Sequence, residues 1–175
     1  MIFKETHLKD ALIVSIEKRE DPRGFFARAW CSRELEGHGL RTNFVQANIS
    51  QNHKKGTLRG MHYQLAPHEE VKLVRCTRGA IYDAIIDLRP DSPTYKHWVG
   101  VELTAESRDM LYVPEGFGHG FQVLQDDSEV FYEVTQFYHP EAERGVRYDD
   151  SSFGITWPLQ VTEISEKDNG WPKFS

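Results

Sequence analysis

The sequence predicts an all-β fold, a small barrel or two-sheet sandwich with one or two short helices. Three observations carry this. The apolar pattern repeats every second residue through most of the chain, many short apolar runs follow one another, and polar or Pro/Gly turns separate them. A chain of 175 residues is long enough for a substantial core and short enough for one domain spanning residues 1–175.

Taken in order, the expected elements begin with a strand over 25–30, in which Phe26 and Arg28 share a face. A short helix follows, with Ser32 as N-cap and a stop at Gly37 or Gly39. Strands are then expected over 44–50, 58–64, 71–76, 80–88, 98–103, 109–113, 121–124, 130–135 and 145–148. Arg89-Pro90-Asp91-Ser92-Pro93 and Gln125-Asp126-Asp127-Ser128 are turns between them. His119 is expected on a glycine-rich turn after Pro114, where Gly116, Gly118 and Gly120 let the backbone crowd around it. Residues 165–175 read as a tail that holds its place only by packing on something else.

Composition narrows the function classes. Hydrophobic residues make up 39%, charged residues 27% and aromatic residues 12%, an ordinary globular balance. The net charge of −6 argues against a nucleic-acid surface, which relies on clustered Lys and Arg. No run approaches the ~20 apolar residues of a membrane-spanning helix. The first twenty residues mix Lys4, Glu5, Lys9 and Asp10 with short apolar pairs, unlike a secretion signal. Two cysteines, Cys31 and Cys76, are too few for a disulfide scaffold and read as reduced thiols of a cytoplasmic protein. Inside this acidic chain Arg23, Arg59 and Lys72 could still form a local positive pocket for a small anion. Arg75, one step out of phase with Lys72, is expected at a solvated edge.

Strand phase sorts the polar residues. Lys72 shares a face with Val74 and Cys76, Asp83 with Ile81 and Ile85, and Tyr132 with Val130 and Val134. A charge on an apolar face must pair or face a ligand. One reading is therefore a Lys72–Asp83 ion pair closing the barrel; the other is a polar cavity. With His62 as a base, Lys72 as an oxyanion partner and Tyr132 as an acid, such a cavity has the parts for proton transfer next to a carbonyl.

Two stretches, Leu58-Arg59-Gly60-Met61-His62-Tyr63-Gln64 and Pro114-x-Gly116-x-x-His119-Gly120-Phe121, are similar to the two motifs of cupins, jelly-roll β-barrels that usually hold a metal. Here the metal pattern is broken. Gly56 is followed at the expected spacing by His62, but Gln64 stands where the second ligand histidine belongs, and Glu69 beside Glu70 reads as a solvated turn. No metal and no cofactor is expected, because an imidazole site normally needs three protein ligands.

The ordered motifs Asp21-x-Arg23-Gly24-x-Phe26, Gln46-x-Asn48-x-Ser50, Leu58 to Gln64, Lys72-Leu73-Val74, Ser92-Pro93-Thr94, Pro114 to Phe121 and Ile164-Ser165-x-Lys167-Asp168 cover nearly the whole chain. Together they resemble the dTDP-4-dehydrorhamnose 3,5-epimerase family. The resemblance implies a homodimeric, metal-free cupin that inverts C3, C5 or both of a nucleotide-linked 4-keto-6-deoxyhexose. It makes His62 the base, Asp168 its dyad partner through Nδ1–H, Tyr132 the opposing acid and Lys72 the enolate stabiliser. Arg59 and His119 would line the pocket. Arg23, Phe26, Gln46, Asn48 and Tyr138 would hold the nucleotide diphosphate, with Tyr138 stacked on the base. The residues alone do not choose Asp168 over Asp83.

One position departs from the pattern: Arg28 stands where the family has Glu. A guanidinium only donates hydrogen bonds, so Arg28 facing the ligand would favour cytosine and a CDP-linked sugar, although dTDP is the commoner nucleotide in the family. Two alternative functions stay open, a 3,4-ketoisomerase of a nucleotide sugar and a non-catalytic sugar-binding cupin.

Overall fold

The computed structural model describes residues 1–174 as thirteen strands and two short helices. In chain order these are β1 (Ile2–Glu5), β2 (Leu12–Ser15), β3 (Arg19–Asp21), β4 (Gly24–Phe26), α1 (Ser32–Gly37), β5 (Gln46–Asn52) and β6 (Leu58–Gln64). Then come β7 (Lys72–Arg78), β8 (Ala80–Asp87), β9 (Trp98–Thr104), β10 (Met110–Val113), β11 (Phe117–Val123), β12 (Ser128–Val134), β13 (Glu143–Gly145) and α2 (Glu166–Asn169). A six-stranded sheet, ordered β1-β2-β10-β7-β12-β5, faces a five-stranded sheet, ordered β13-β6-β11-β8-β9. Strands β3 and β4 form a separate hairpin.

The core lies between the two sheets. Val74, Cys76, Leu111, Val113 and Val130 of one sheet meet Ile81, Ile85, Leu103, Phe121 and Val123 of the other. Burial pushes the Cys76 thiol up to about 11, which makes it an inert packing group. The five-stranded sheet is covered on its outer face as well, by Val146, Phe153, Trp157 and Phe174 against Met61, Ala84 and Ile86. Strand β8 is accordingly buried along nearly its whole length, and its apolar residues are interrupted only by Tyr82, Asp83 and Asp87.

Several expectations shift. The strand through Trp30 ends at Phe26, because residues 27–31 leave the hairpin to start α1. Ser32 is the first helical residue; Cys31 is the N-cap and gives no side-chain bond. His119 lies on β11, since the turn after Pro114 closes by Gly116 and the strand begins at Phe117. The strand expected over 145–148 is β13, which starts two residues earlier and ends at Gly145. The C-terminal tail folds: Ser165 caps α2 through its hydroxyl, and Thr57 pairs with Glu163 beside β6. Ser175 lies outside the described residues. Arg75 stacks over Phe131 at 4.9 Å and is half-buried rather than fully solvated. No helix among the described residues is long and apolar enough to cross a membrane.

One buried charge holds the long loop after β8. Asp87, at the strand end, accepts from Arg89 Nη2 at 2.8 Å, Ser92 Oγ at 2.5 Å and Thr94 Oγ1 at 2.6 Å. Burial alone would raise its pKa, but these donors outweigh it and hold the carboxyl, ordinarily at 3.8, at about 2. A depressed carboxylate stabilises the fold above its unfolded value, and that contribution is lost as pH falls through the folded value. Wild type should therefore exceed Asp87→Asn by about 2 kcal/mol at neutral pH. Denaturant titration from pH 6 downward should show this gap closing between about pH 4 and pH 2; a constant gap would remove Asp87 as its source.

Candidate active site

Where the two sheets splay at one end they enclose a cavity of about 340 Å³. The six-stranded sheet supplies Gln46 and Asn48 from β5, Lys72 from β7 and Tyr132 and Val134 from β12. Strand register explains the grouping: Val134 stands opposite both Lys72 and Gln46, and Tyr132 opposite both Val74 and Asn48, so all share one face. The five-stranded sheet supplies His62 and Gln64 from β6 and Glu143 from β13. Tyr138 lies at the rim. A larger cavity of about 710 Å³ lies elsewhere, and both of its arginines are already paired, Arg41 with Glu115 and Arg89 with Asp10, each at 2.8 Å.

His62 is oriented from a distance. Gly60, two residues before it, runs against Gly120 of β11 so closely that a Cβ on Gly60 would lie 2.5 Å from Gly120 Cα. Gly60 also has φ +131°, a conformation side chains resist. This contact sets His62 opposite His119 in register. It also opens the Gly60 N–H to Asp168 Oδ2 at 3.3 Å, while Asp168 Oδ1 accepts from His62 Nε2 at 2.6 Å. The bonded nitrogen is thus Nε2, not the expected Nδ1, because α2 approaches the ring from its distal edge; Nδ1 is the nitrogen left to take a proton. Burial works against the Asp168 carboxylate, but the hydrogen bonds from His62 and the Gly60 N–H win, and its pKa is lowered. Trp171 packs against Gly145 and meets the His62 ring edge-on at 6.2 Å.

Of the two readings of strand phase, the Lys72–Asp83 ion pair is absent among the described residues. Lys72, only 9% exposed, pairs with Glu70 Oε1 at 3.1 Å. Asp83 is fully buried and binds His119 Nε2 at 2.6 Å, leaving its other oxygen without a partner. The partly exposed His62 and the buried His119 therefore each take their own aspartate. Glu70 faces the cavity instead of solvent, while Glu69 lines the larger cavity, away from His62 and His119. Gln64 spends its amide on the loops: it donates to His68 O at 2.9 Å and Phe137 O at 3.2 Å and accepts from the His139 N–H at 2.6 Å.

Of the residues the sequence points to, His62, Lys72, Tyr132, Gln46, Asn48 and Tyr138 surround the cavity, and Asp168 reaches it through His62. His119 is buried behind it. Arg59 bonds Asn52 at 2.7 Å and lines a neighbouring groove with Asp168. Arg23, Phe26 and Arg28 lie on or just after the β3–β4 hairpin, apart from the cavity of their own chain. Arg23 pairs with Asp21 at 2.7 Å, and Arg28 pairs with Glu34 at 2.9 Å. Strand phase could not place Arg28, because its strand ends two residues earlier. Glu70 and Glu143 were missed. Glu143 accepts from Tyr138 Oη at 2.6 Å and from Lys167 Nζ at 2.6 Å, so it joins the rim to the helix that carries Asp168. No local motif announces such a link.

Comparison with known proteins bears on this geometry. The family model for dTDP-4-dehydrorhamnose 3,5-epimerase matches residues 5–175. The enzyme of that name from Shigella flexneri is 43% identical over 171 residues, covering 97% of this chain and 94% of the relative. The crystal structure of the Elizabethkingia anophelis enzyme superposes with a TM-score of 0.96 at 39% identity, covering 99% and 96% of the two chains. That of the Bacillus anthracis enzyme, with TDP and pyrophosphate bound, gives 0.95 at 39% identity and covers 99% of each. These neighbours are cupin-type jelly rolls, and the two facing sheets here have that architecture.

The His62–Asp168 bond generates a test independent of any substrate. Asp168→Asn should keep the fold but release the Nε2–H tautomer preference, read from the imidazole ¹⁵N shifts of His62. Unchanged shifts would show that the carboxylate does not set the tautomer.

Proposed function

The chain belongs to the dTDP-4-dehydrorhamnose 3,5-epimerase family, and on that premise we propose that it inverts C3 and C5 of a dTDP-linked 4-keto-6-deoxyhexose. One observation supports this above the others: the imidazole comes from one sheet and the phenol from the facing sheet, with the cavity between them. Inversion needs a base on one face of the sugar ring and an acid on the other. A 3,4-ketoisomerase, shuttling a proton on one face, has no use for that opposition, and a sugar-binding cupin needs neither group.

Both C3–H and C5–H lie next to the C4 carbonyl. His62 Nδ1 takes the proton, and the C–H electron pair moves into the ring to leave negative charge on the C4 oxygen. Lys72 stabilises that oxyanion; a preorganised donor of this kind is typically worth about 3–4 kcal/mol. Tyr132 delivers a proton to the opposite face and regains one from water. Asp168 steadies the imidazolium that forms between these steps. No step calls on a metal or organic cofactor.

In this reading Gln46, Asn48 and Tyr138, which line the cavity, hold the nucleotide, with the exposed Tyr138 ring available for stacking. The remaining family contacts point to a homodimer. Strand β5 is an edge strand beside the cavity, with Ile49 65% exposed, and the β3–β4 hairpin presents Phe26, 69% exposed. A hairpin from a second copy laid along β5 would bring Arg23, Phe26 and Arg28 to the cavity. We read the 175 residues as one cytoplasmic enzyme domain on the same grounds.

Incubation with dTDP-4-keto-6-deoxyglucose in D2O containing EDTA tests the chemistry, with deuterium at C3 and C5 followed by NMR. Wild type should incorporate label at both carbons. His62→Ala should abolish exchange, whereas Tyr132→Phe should keep exchange while inversion drops by about 10²–10⁴-fold. Wild-type inversion by Tyr132→Phe would mean another acid.

The dimer has its own test. Sedimentation should find wild type as a dimer and Phe26→Asp shifted toward monomer, with loss of nucleotide-sugar binding. A monomeric wild type that still turns over would sink the shared-site arrangement.

A further inference from the structure

Outside the cavity, one cluster of ligand-type side chains is unused by this chemistry. His68, His139 and Glu141 place their ligand atoms within 4.8 Å of one another. His68 sits in the turn after β6, and the other two sit in the turn before β13. The two imidazoles stack at 3.6 Å between centroids with 26° between planes, and His139 Nδ1 lies 3.1 Å from Glu141 Oε1.

The turns that carry these groups are ordered independently of any ion. Gln64 bonds the His68 carbonyl and the His139 N–H with opposite ends of one buried amide. Backbone bonds close the rest: Leu65 N–H to Ala142 O at 2.9 Å, His68 N–H to Leu65 O at 2.9 Å and Ala142 N–H to His139 O at 3.0 Å. Pro140, between two of the three groups, restricts the chain further. Less ordering is left for an ion to impose, which is the condition for a surface site to bind well.

We propose that His68, His139 and Glu141 form a site for one divalent transition-metal ion of the zinc class, bracing the two turns at the cavity rim. Two imidazoles and one carboxylate suit zinc, cobalt or nickel, whereas magnesium and calcium favour all-oxygen sets. Three protein ligands leave the fourth tetrahedral position to water. Parallel stacked rings send their lone pairs side by side, so capture turns one ring until both lone pairs converge. Both rings are partly exposed, which leaves room for that turn. The site is separate from the cupin metal position: none of its three ligands belongs to the His62, Gln64, Glu69 and His119 set.

Cobalt provides the test. Untagged protein, stripped with EDTA and dialysed, should bind one Co2+ per chain with visible d–d absorption, and Zn2+ should displace it and raise Tm. His68→Asn and His139→Asn should each weaken binding by more than about tenfold, while His62→Asn should leave the titration unchanged. Circular dichroism monitors folding, and Glu141→Gln at an exposed position gives the same discrimination should a histidine variant unfold. The proposal is overturned if no saturable binding occurs, if binding survives both imidazole substitutions, or if His62→Asn is the change that removes it.

Discussion

Between Gly60 and Gly120 there is no room for a side chain, and the geometry around His62 follows from that contact. The two backbones touch where β6 and β11 shift register, and the shift brings His62 level with His119. The same approach leaves the Gly60 N–H facing α2, where it shares Asp168 with the imidazole. A methyl at position 120 would strike Met61 Sδ and the Arg59 carbonyl as well as Gly60. Packing of this tightness transmits displacement instead of absorbing it, so the His62 ring is only as well placed as two glycines allow.

Around that contact the buried charges are arranged in partnerships. His62 has Asp168, His119 has Asp83 and Lys72 has Glu70. Removing one member of such a pair leaves the other charged and dry, which costs more than the pair contributes. Lys72 differs from the histidines, because its carboxylate partner also lines the cavity. In the proposed mechanism a developing oxyanion would therefore compete with Glu70 for the ammonium. His119, deeper in the sandwich, has no such access and serves the barrel interior.

What was legible in the sequence was what strand phase controls. Period-two alternation put Lys72 and Tyr132 on an inward face, and the register of β7 and β12 places them there. Alternation says nothing of which charges meet, so Lys72 with Asp83 and Lys72 with Glu70 were equally consistent with it. Asp168 is 106 residues from His62, on a four-residue helix in a segment without periodicity, and only family resemblance singled it out. Gln64 was legible only as a departure, a missing imidazole; the three bonds its amide makes depend on two turns whose meeting no local pattern encodes. Arg28 failed for a simpler reason, since phase holds only as far as the strand does.

Gln64 also bears on which substitutions the cavity rim tolerates. Its amide is donor and acceptor at once, and it ties the turn of His68 to the turn that carries Tyr138. A neutral imidazole has one donor and one acceptor and cannot make all three bonds. Gln64→His would therefore loosen the rim, and it would complete no metal centre with Glu69, which lines the other cavity. Two turns far apart in the chain thus share one amide as their fastener, and a change in either turn is felt by the other through ordinary hydrogen bonds.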